Sequence, residues 1–147
     1  MTALHVVFAV DEVEYALPAA EVLHMEAFSG ATRVPGAAPW VAGMIQTRRQ
    51  VVPVVDLRAR FGLPPAASTL DTRVIVVRVG ERTVGLLADR AREVLTLSDD
   101  QLEAPPEVVA RGAAGFVRSI ARADRRLLML LDTARVVGEE ALRGEER

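Results

Sequence analysis

Short apolar runs rich in valine, isoleucine and leucine alternate with tight polar breaks along most of the chain. Residues 4–10 form one such run, Asp11-Glu12 break it, and residues 13–17 continue in the same style. Their length and β-branched content predict a hairpin of two strands rather than a helix. Residues 74–79 and 83–88, parted at Gly80-Glu81, predict a second hairpin of the same kind. Each hairpin is followed by the same triplet, Glu21-Val22-Leu23 in one case and Glu93-Val94-Leu95 in the other. A further hairpin then appears in both halves: 44–47 with 51–55 about the turn at Arg48-Arg49, and 116–121 with 127–131 about Asp124-Arg125. Each ends on an aspartate, Asp56 or Asp132, whose carboxylate can accept the unpaired amides of a first helical turn. Short helices are therefore expected over 57–61, closed by Gly62, and from Thr133 onward.

The chain thus reads as two related modules of about five strands each, an all-β fold of two five-stranded barrels with short helices. Small modules that alternate apolar strands with tight turns favour closed or nearly closed barrels, because closure hides strand edges. One domain over 1–147 is expected, with subdomains at 1–62 and 70–132 that share a buried seam. The stretch Leu63-Pro64-Pro65-Ala66-Ala67-Ser68 is the expected crossing point. Loops at 29–39 and 105–115 fall at matching places, and Ser98-Asp99-Asp100-Gln101 carries a capping-box pattern that opens one helical turn.

Composition narrows the picture. The chain has 147 residues, half of them hydrophobic, so it can bury a core without a disulfide or metal staple. It has no cysteine, which removes thiolate nucleophiles and thiolate metal sites together. All 18 basic residues are arginine, yet the net charge is −2, so nucleic acid is a poor partner. The longest apolar runs, such as 127–131, fall far short of the roughly 20 residues a membrane span needs. No membrane insertion is expected, and a first run interrupted by Asp11 and Glu12 without a basic leader predicts a cytoplasmic protein.

The residues that carry chemistry are few and scattered. His5 and His24 both fall in strand-like segments, where packing or surface roles outnumber catalytic ones. None of Ser29, Ser68, Ser98 and Ser119 sits in a nucleophile-elbow pattern, and no phosphate-cradling glycine motif occurs. Arg111-Gly112-Ala113-Ala114-Gly115 reads as a loop, and Glu139-Glu140 and Glu145-Glu146 as solvated polar sequence. No catalytic residue, metal or cofactor is expected. A binding scaffold suits this composition, with aliphatic, arginine-edged contacts of moderate affinity inside a multivalent assembly. Among the six aromatics, Trp40 beside Pro39 reads either as an interface anchor or as a loop plug. A small-molecule-binding barrel is the alternative of a different class; it requires an open apolar pocket, and a filled seam would eliminate it.

Residues 43–57, Gly-Met-Ile-Gln-Thr-Arg-Arg-Gln-Val-Val-Pro-Val-Val-Asp-Leu, resemble the signature of CheW-like coupling proteins, whose usual form runs G-V-I-N-L-R-G-x-x-V-P-V-V-D-L. Phe8, Tyr15-Ala16-Leu17-Pro18, the run 84–89, Glu93-Val94-Leu95 and residues 127–132 follow in family order, so the resemblance covers nearly the whole chain. It implies two SH3-like five-stranded barrels and a non-enzymatic adaptor of a chemosensory array. The partners it implies are the cytoplasmic tip of a chemoreceptor, the regulatory domain of the histidine kinase CheA, and other CheW-like proteins. Carried over residue by residue, the kinase face comprises Val6, Ala19, Val22 and Met25, and the receptor groove comprises Gly43, Arg48, Val74, Gly85 and Val94.

The departures from the family pattern fall at informative places. Arg49 replaces the turn glycine and would cost roughly 1 kcal/mol in a left-handed conformation. His24 stands where a glutamate able to orient Arg48 is common, Gln46-Thr47 replaces Asn-Leu, and Ser119 takes a frequent glycine position. Ala19 replaces a larger aliphatic residue, and each missing methylene weakens a buried contact by roughly 0.8 kcal/mol. The expectation is a divergent accessory adaptor that binds receptor and couples weakly or not at all to the kinase, with a standard receptor–kinase coupling protein as the alternative.

Overall fold

The structure is a computed structural model that describes residues 1–48, 50–112 and 115–138. In the first half, β1 (Thr2–Val10) and β2 (Val13–Pro18) form the expected hairpin, and a 3-10 turn at Ala19–Glu21 leads to β3 (Val22–Ala27). Then come β4 (Val41–Gln46), β5 (Val51–Asp56) and the one-turn helix α1 (Leu57–Arg60). The second half repeats the order with β6 (Arg73–Val79), β7 (Arg82–Ala88), β8 (Arg90–Ser98), a 3-10 turn at Asp99–Gln101 and β9 (Leu102–Glu103). It continues through α2 (Glu107–Gly112), β10 (Val117–Ala123), β11 (Arg126–Leu131) and α3 (Thr133–Val137). Both aspartate caps form: the Asp56 carboxylate accepts from the amide of Arg58, and that of Asp132 from the amide of Arg135. The capping box at Ser98 and Gln101 is present as well. Asp11 and Asp124 adopt φ of 57° and 58° in their hairpin turns, with Gly80 at 62° in the third. Aspartate is among the few side chains that tolerate this left-handed region.

The fold is all-β, in two sheets. One has the order β8-β1-β2-β11-β10-β9 and the other β3-β6-β7-β5-β4. The first therefore has six strands rather than five, the extra one being the two-residue β9. A single 3-10 turn links β8 to β9, yet these strands occupy opposite edges of that sheet. So short a link joins them only if the sheet curls round on itself. In the second sheet, the bridge between Thr32 and Met44 draws the loop after β3 onto β4.

The strand composition of the sheets differs from the division at 1–62 and 70–132. Each sheet takes its leading hairpin from one half of the chain and its other strands from the other half. Two parallel pairings hold this exchange in place, β5 with β7 and β11 with β2. The halves are repeats in sequence but interlocked in space.

The exchange explains why the strands are apolar on both sides instead of alternating. Val7, Ala16, Leu97, Ala121, Leu128 and Leu130 fill the first barrel. Val52, Val54, Val74 and Val76 fill the second. The alternate residues of the same strands meet between the barrels: Phe8, Tyr15 and Leu17 from one sheet and Val55, Ile75, Val77 and Leu86 from the other. A strand with one face in a barrel and the other in the seam has no side to leave polar. An ion triad ties the sheets at one end of the seam. Arg58 donates from Nε to Asp89 Oδ1 at 2.9 Å and from Nη2 to Asp89 Oδ2 at 2.8 Å, and reaches Asp11 Oδ1 at 3.3 Å.

Candidate functional site

Of the residues expected to form the kinase face, Val22 and Met25 lie on edge strand β3, Ala19 in the 3-10 turn before it and Val6 on β1. Val22 lies opposite Val77 and Met25 opposite Ile75. Both partners face the seam, so Val22 and Met25 point to that side too. Val22 is half-buried and Met25 is 43% exposed. A bulge between Val22 and His24 leaves Leu23 outside the register, 46% exposed. Ala19 is half-buried in the 3-10 turn before β3. Val6 differs from the other three: it is only 5% exposed, between Leu17 on one side and Val94 on the other.

That last pairing joins the two predicted surfaces. Val94 lies on the other sheet's edge strand, β8, opposite Val6, and is 54% exposed. Because Val6 also sits opposite Leu17 of the seam, Val94 shares the seam-facing side. Leu4, two residues before Val6 on the same face, is 55% exposed. The seam-facing edges of both sheets thus end in bare aliphatic side chains.

The remaining predicted receptor residues divide. Gly43 on β4, Val54 on β5, Gly85 on β7 and Val76 on β6 form one lateral row across the second barrel. Gly85 is buried, and a Cβ there would stand 2.6 Å from Val74 Cγ1 and 3.3 Å from Val54 Cγ2. Val74 is fully buried in the same barrel. Gly43 holds φ at 140°, and a Cβ on it would meet the Thr32 carbonyl oxygen at 2.2 Å. Thr32 and Met44 exchange backbone hydrogen bonds of 2.8 and 2.7 Å beside it. Gly43, Val74 and Gly85 are therefore buried and shape the barrel from within. The matching bulge on β10, between Val117 and Ser119, is built without positive φ: among the described residues the non-glycine positions with positive φ are Asp11 and Asp124, both in hairpin turns.

Arg48 is exposed in the turn between β4 and β5. Thr47 braces that turn by donating its hydroxyl and its amide to the Gln50 carbonyl at 3.1 and 2.9 Å. Arg49, and with it the expected left-handed strain, lies outside the described residues, as do Ala113, Ala114, Glu139-Glu140 and Glu145-Glu146. His24 pairs through Nε2 with Glu26 Oε2 at 2.7 Å on β3, while His5 is buried and its Nδ1 lies 3.1 Å from the Ala3 carbonyl. Trp40 plugs its loop: it packs on the seam core, with the Arg60 guanidinium 3.8 Å from its ring centre. The expected loop at 105–115 contains α2, so the two loops match in place but not in form.

Charge beside β8 is organised as a network. Arg126 donates two hydrogen bonds, of 3.0 and 2.8 Å, to Glu14 and also pairs with Glu93, while Arg92 reaches Glu14 at 3.4 Å. The Arg126 hydrogen bonds hold the Glu14 carboxyl below the usual carboxylate range despite partial burial. At Asp89 burial favours the neutral acid, but hydrogen bonds from Arg58 and the Asp11 amide prevail, and its pKa is lowered. Among the described residues no three histidine or acidic side chains gather into a metal cluster.

Residues 4–141 match the CheW-like domain family. The chain belongs to the CheW family. It is 35% identical over 136 residues to the chemotaxis protein CheW of Bacillus subtilis (strain 168), covering 92% of this chain and 87% of that protein. It is 29% identical to the probable chemotaxis protein CheW of Rhizobium etli, over 91% of this chain and 86% of that one. The scaffolding protein TtCheW from Thermoanaerobacter tengcongensis superposes with a TM-score of 0.87 at 27% identity, over 96% of both chains. In this CheW-like chain Leu4 and Leu23 join the exposed edge although the motif reading did not single them out. Both stand inside apolar runs, where a core position and a bare edge look alike; the bulge that frees Leu23 has no marker such as glycine.

Proposed function

We propose that the chain is a non-enzymatic adaptor of a cytoplasmic chemosensory array that binds a chemoreceptor tip along the seam margin and couples weakly to a CheA-type kinase. The observation that carries this reading is the set of exposed aliphatic side chains on the seam-facing edges of both sheets, Val94 and Leu4 on one side and Met25 on the other. Arg48 supplies a charged contact from the exposed β4–β5 turn, and Val94 is the direct apolar contact on β8. Gly43, Val74 and Gly85 act as positioning residues that set the curvature of the second barrel. Val22 and Met25 meet the kinase regulatory domain, while Val6 lies buried on β1 beside Val94. Ala19 leaves that face one side chain short of a full apolar patch, which is the reason for weak coupling.

The standard coupling role is the second reading, favoured by Leu23 and Met25, both more than two-fifths exposed on β3. Binding of the purified chain to a receptor signalling tip and, separately, to the kinase regulatory domain tests the two. Receptor binding with weak kinase binding and no kinase activation is the expected result. Strong kinase binding with activation establishes the standard role, and binding to neither removes the adaptor reading.

A further inference from the structure

The seam is filled along its middle but leaves a recess where α1 and α2 approach the β1–β2 turn and β11. It is half open to solvent and has a volume of about 300 Å³. Its walls are Tyr15, Phe61 and Phe116 with Leu63, Val109 and Met129. The three aromatic rings are in successive contact, Tyr15 to Phe61 at 5.1 Å and Phe61 to Phe116 at 5.7 Å between centres. The recess is distinct from the β3 and β8 edges, and none of the residues predicted for receptor or kinase lines it.

Among the described residues that line it, only Asp11 and Arg60 bring charge, and both are engaged elsewhere. Asp11 pairs with Arg58, while Arg60 donates to the carbonyls of Val136 at 2.7 Å and Arg135 at 3.1 Å. The Arg60 guanidinium also stacks over Trp40 and Phe116. Burial raises the Tyr15 phenol further above its usual pKa, so that group stays neutral. Water in such a place finds few of the two to four polar partners it needs. An apolar cavity of about 150 Å³ accepts benzene, and twice that volume accepts two fused rings.

We propose that this recess is a binding site for a small, flat, uncharged apolar molecule of about two fused rings. The aromatic walls supply offset-stacked contact, and the committed rim charges leave no partner for a charged ligand. Indole is the probe, with indole-3-acetate and tryptamine as its anionic and cationic counterparts, titrated into the full chain with labelled methyl groups. The expected result is a saturable shift confined to the methyls of Leu63, Val109, Met129 and Leu131, with both charged probes weaker by roughly tenfold or more because burying an unpaired charge is costly. Val109→Trp, which fills the recess, is expected to abolish the shift while the rest of the spectrum stays in place; Leu63→Trp serves if that variant does not fold. Absence of saturation up to the solubility of indole overturns the proposal, as do equal binding of the charged probes and shifts centred on Leu4, Val94 or Leu127. Shifts at these methyls only when receptor tip or kinase domain is added identify a socket for a partner's side chain, and also overturn it.

Discussion

Along one margin of the seam the two sheets end in edge strands β3 and β8, with exposed Leu23 and Met25 on β3, Val94 on β8 and Leu4 on the adjoining β1. Along the other, helices and loops fold over the junction, and most of the aromatic side chains gather there. Phe8, Tyr15, Phe61 and Phe116 run in contact there, and Arg60 continues the series to Trp40. Arg60 also fastens α1 to α3 through the Val136 carbonyl. The first margin has short side chains and small contact area. The second concentrates the large buried surfaces on which stability depends. Under the proposed function, docking and cohesion fall on opposite sides of one seam, and each is expected to be disturbed without the other.

The largest effect is expected where neither margin is touched directly. Gly43→Ala places a Cβ against the Thr32 carbonyl at a φ of 140° and is expected to destabilise the chain by about 3 kcal/mol or more, read by chemical denaturation. Gly85→Ala follows at about 1–3 kcal/mol, because the row it belongs to is packed against Val74 and Val54. On the aromatic margin, Phe61→Ala is expected to cost about 2–3 kcal/mol, less than a fully buried phenylalanine because its ring is half-buried. If Phe61→Ala weakened receptor binding as strongly as it weakened folding, the division of labour would fail.

Electrostatics gives a smaller and pH-dependent effect. Glu14 and Asp89 have lowered carboxyl pKa values in the folded chain. The stability each contributes is fully present above the unfolded carboxylate value, near about 4, and is lost as pH falls through the folded value. Thermal melting should therefore decline on acidification below about pH 4. Arg126→Ala should lower stability at neutral pH by about 1–2 kcal/mol, discounted for partial exposure, and should flatten the acid limb. An unchanged acid limb in that variant would show that the Glu14 pairing contributes nothing. The smallest stability change, about 0.5–1 kcal/mol, is expected from Met25→Ala, whose side chain is 43% exposed on an edge strand.

How much of this was legible beforehand differs from residue to residue. The hairpins, the aspartate caps at Asp56 and Asp132 and the Ser98 capping box are local devices, each carried by a few neighbouring side chains, and all appear where the pattern puts them. The exchange of hairpins between sheets was not legible, because the pairings of β5 with β7 and β11 with β2 are long-range and leave no mark in either strand's own residues. Of the residues the resemblance assigned to partners, Val94 and Met25 lie on exposed edges, whereas Gly43, Val74 and Gly85 are buried. A resemblance between sequences weighs a buried packing residue and a contact residue alike; only burial separates them. Continuous apolar runs hid the distinction further, since barrel, seam and edge all call for valine or leucine.

The most direct measurement is the affinity of the receptor signalling tip for Val94→Arg, set beside the melting temperature of the same variant. With the side chain already in solvent on an edge strand, the melting temperature should stay close to that of the parent while binding falls by roughly tenfold or more, the scale of one lost apolar contact with an added desolvated charge. Unchanged binding at unchanged stability would contradict the assignment of docking to the bare margin of the seam.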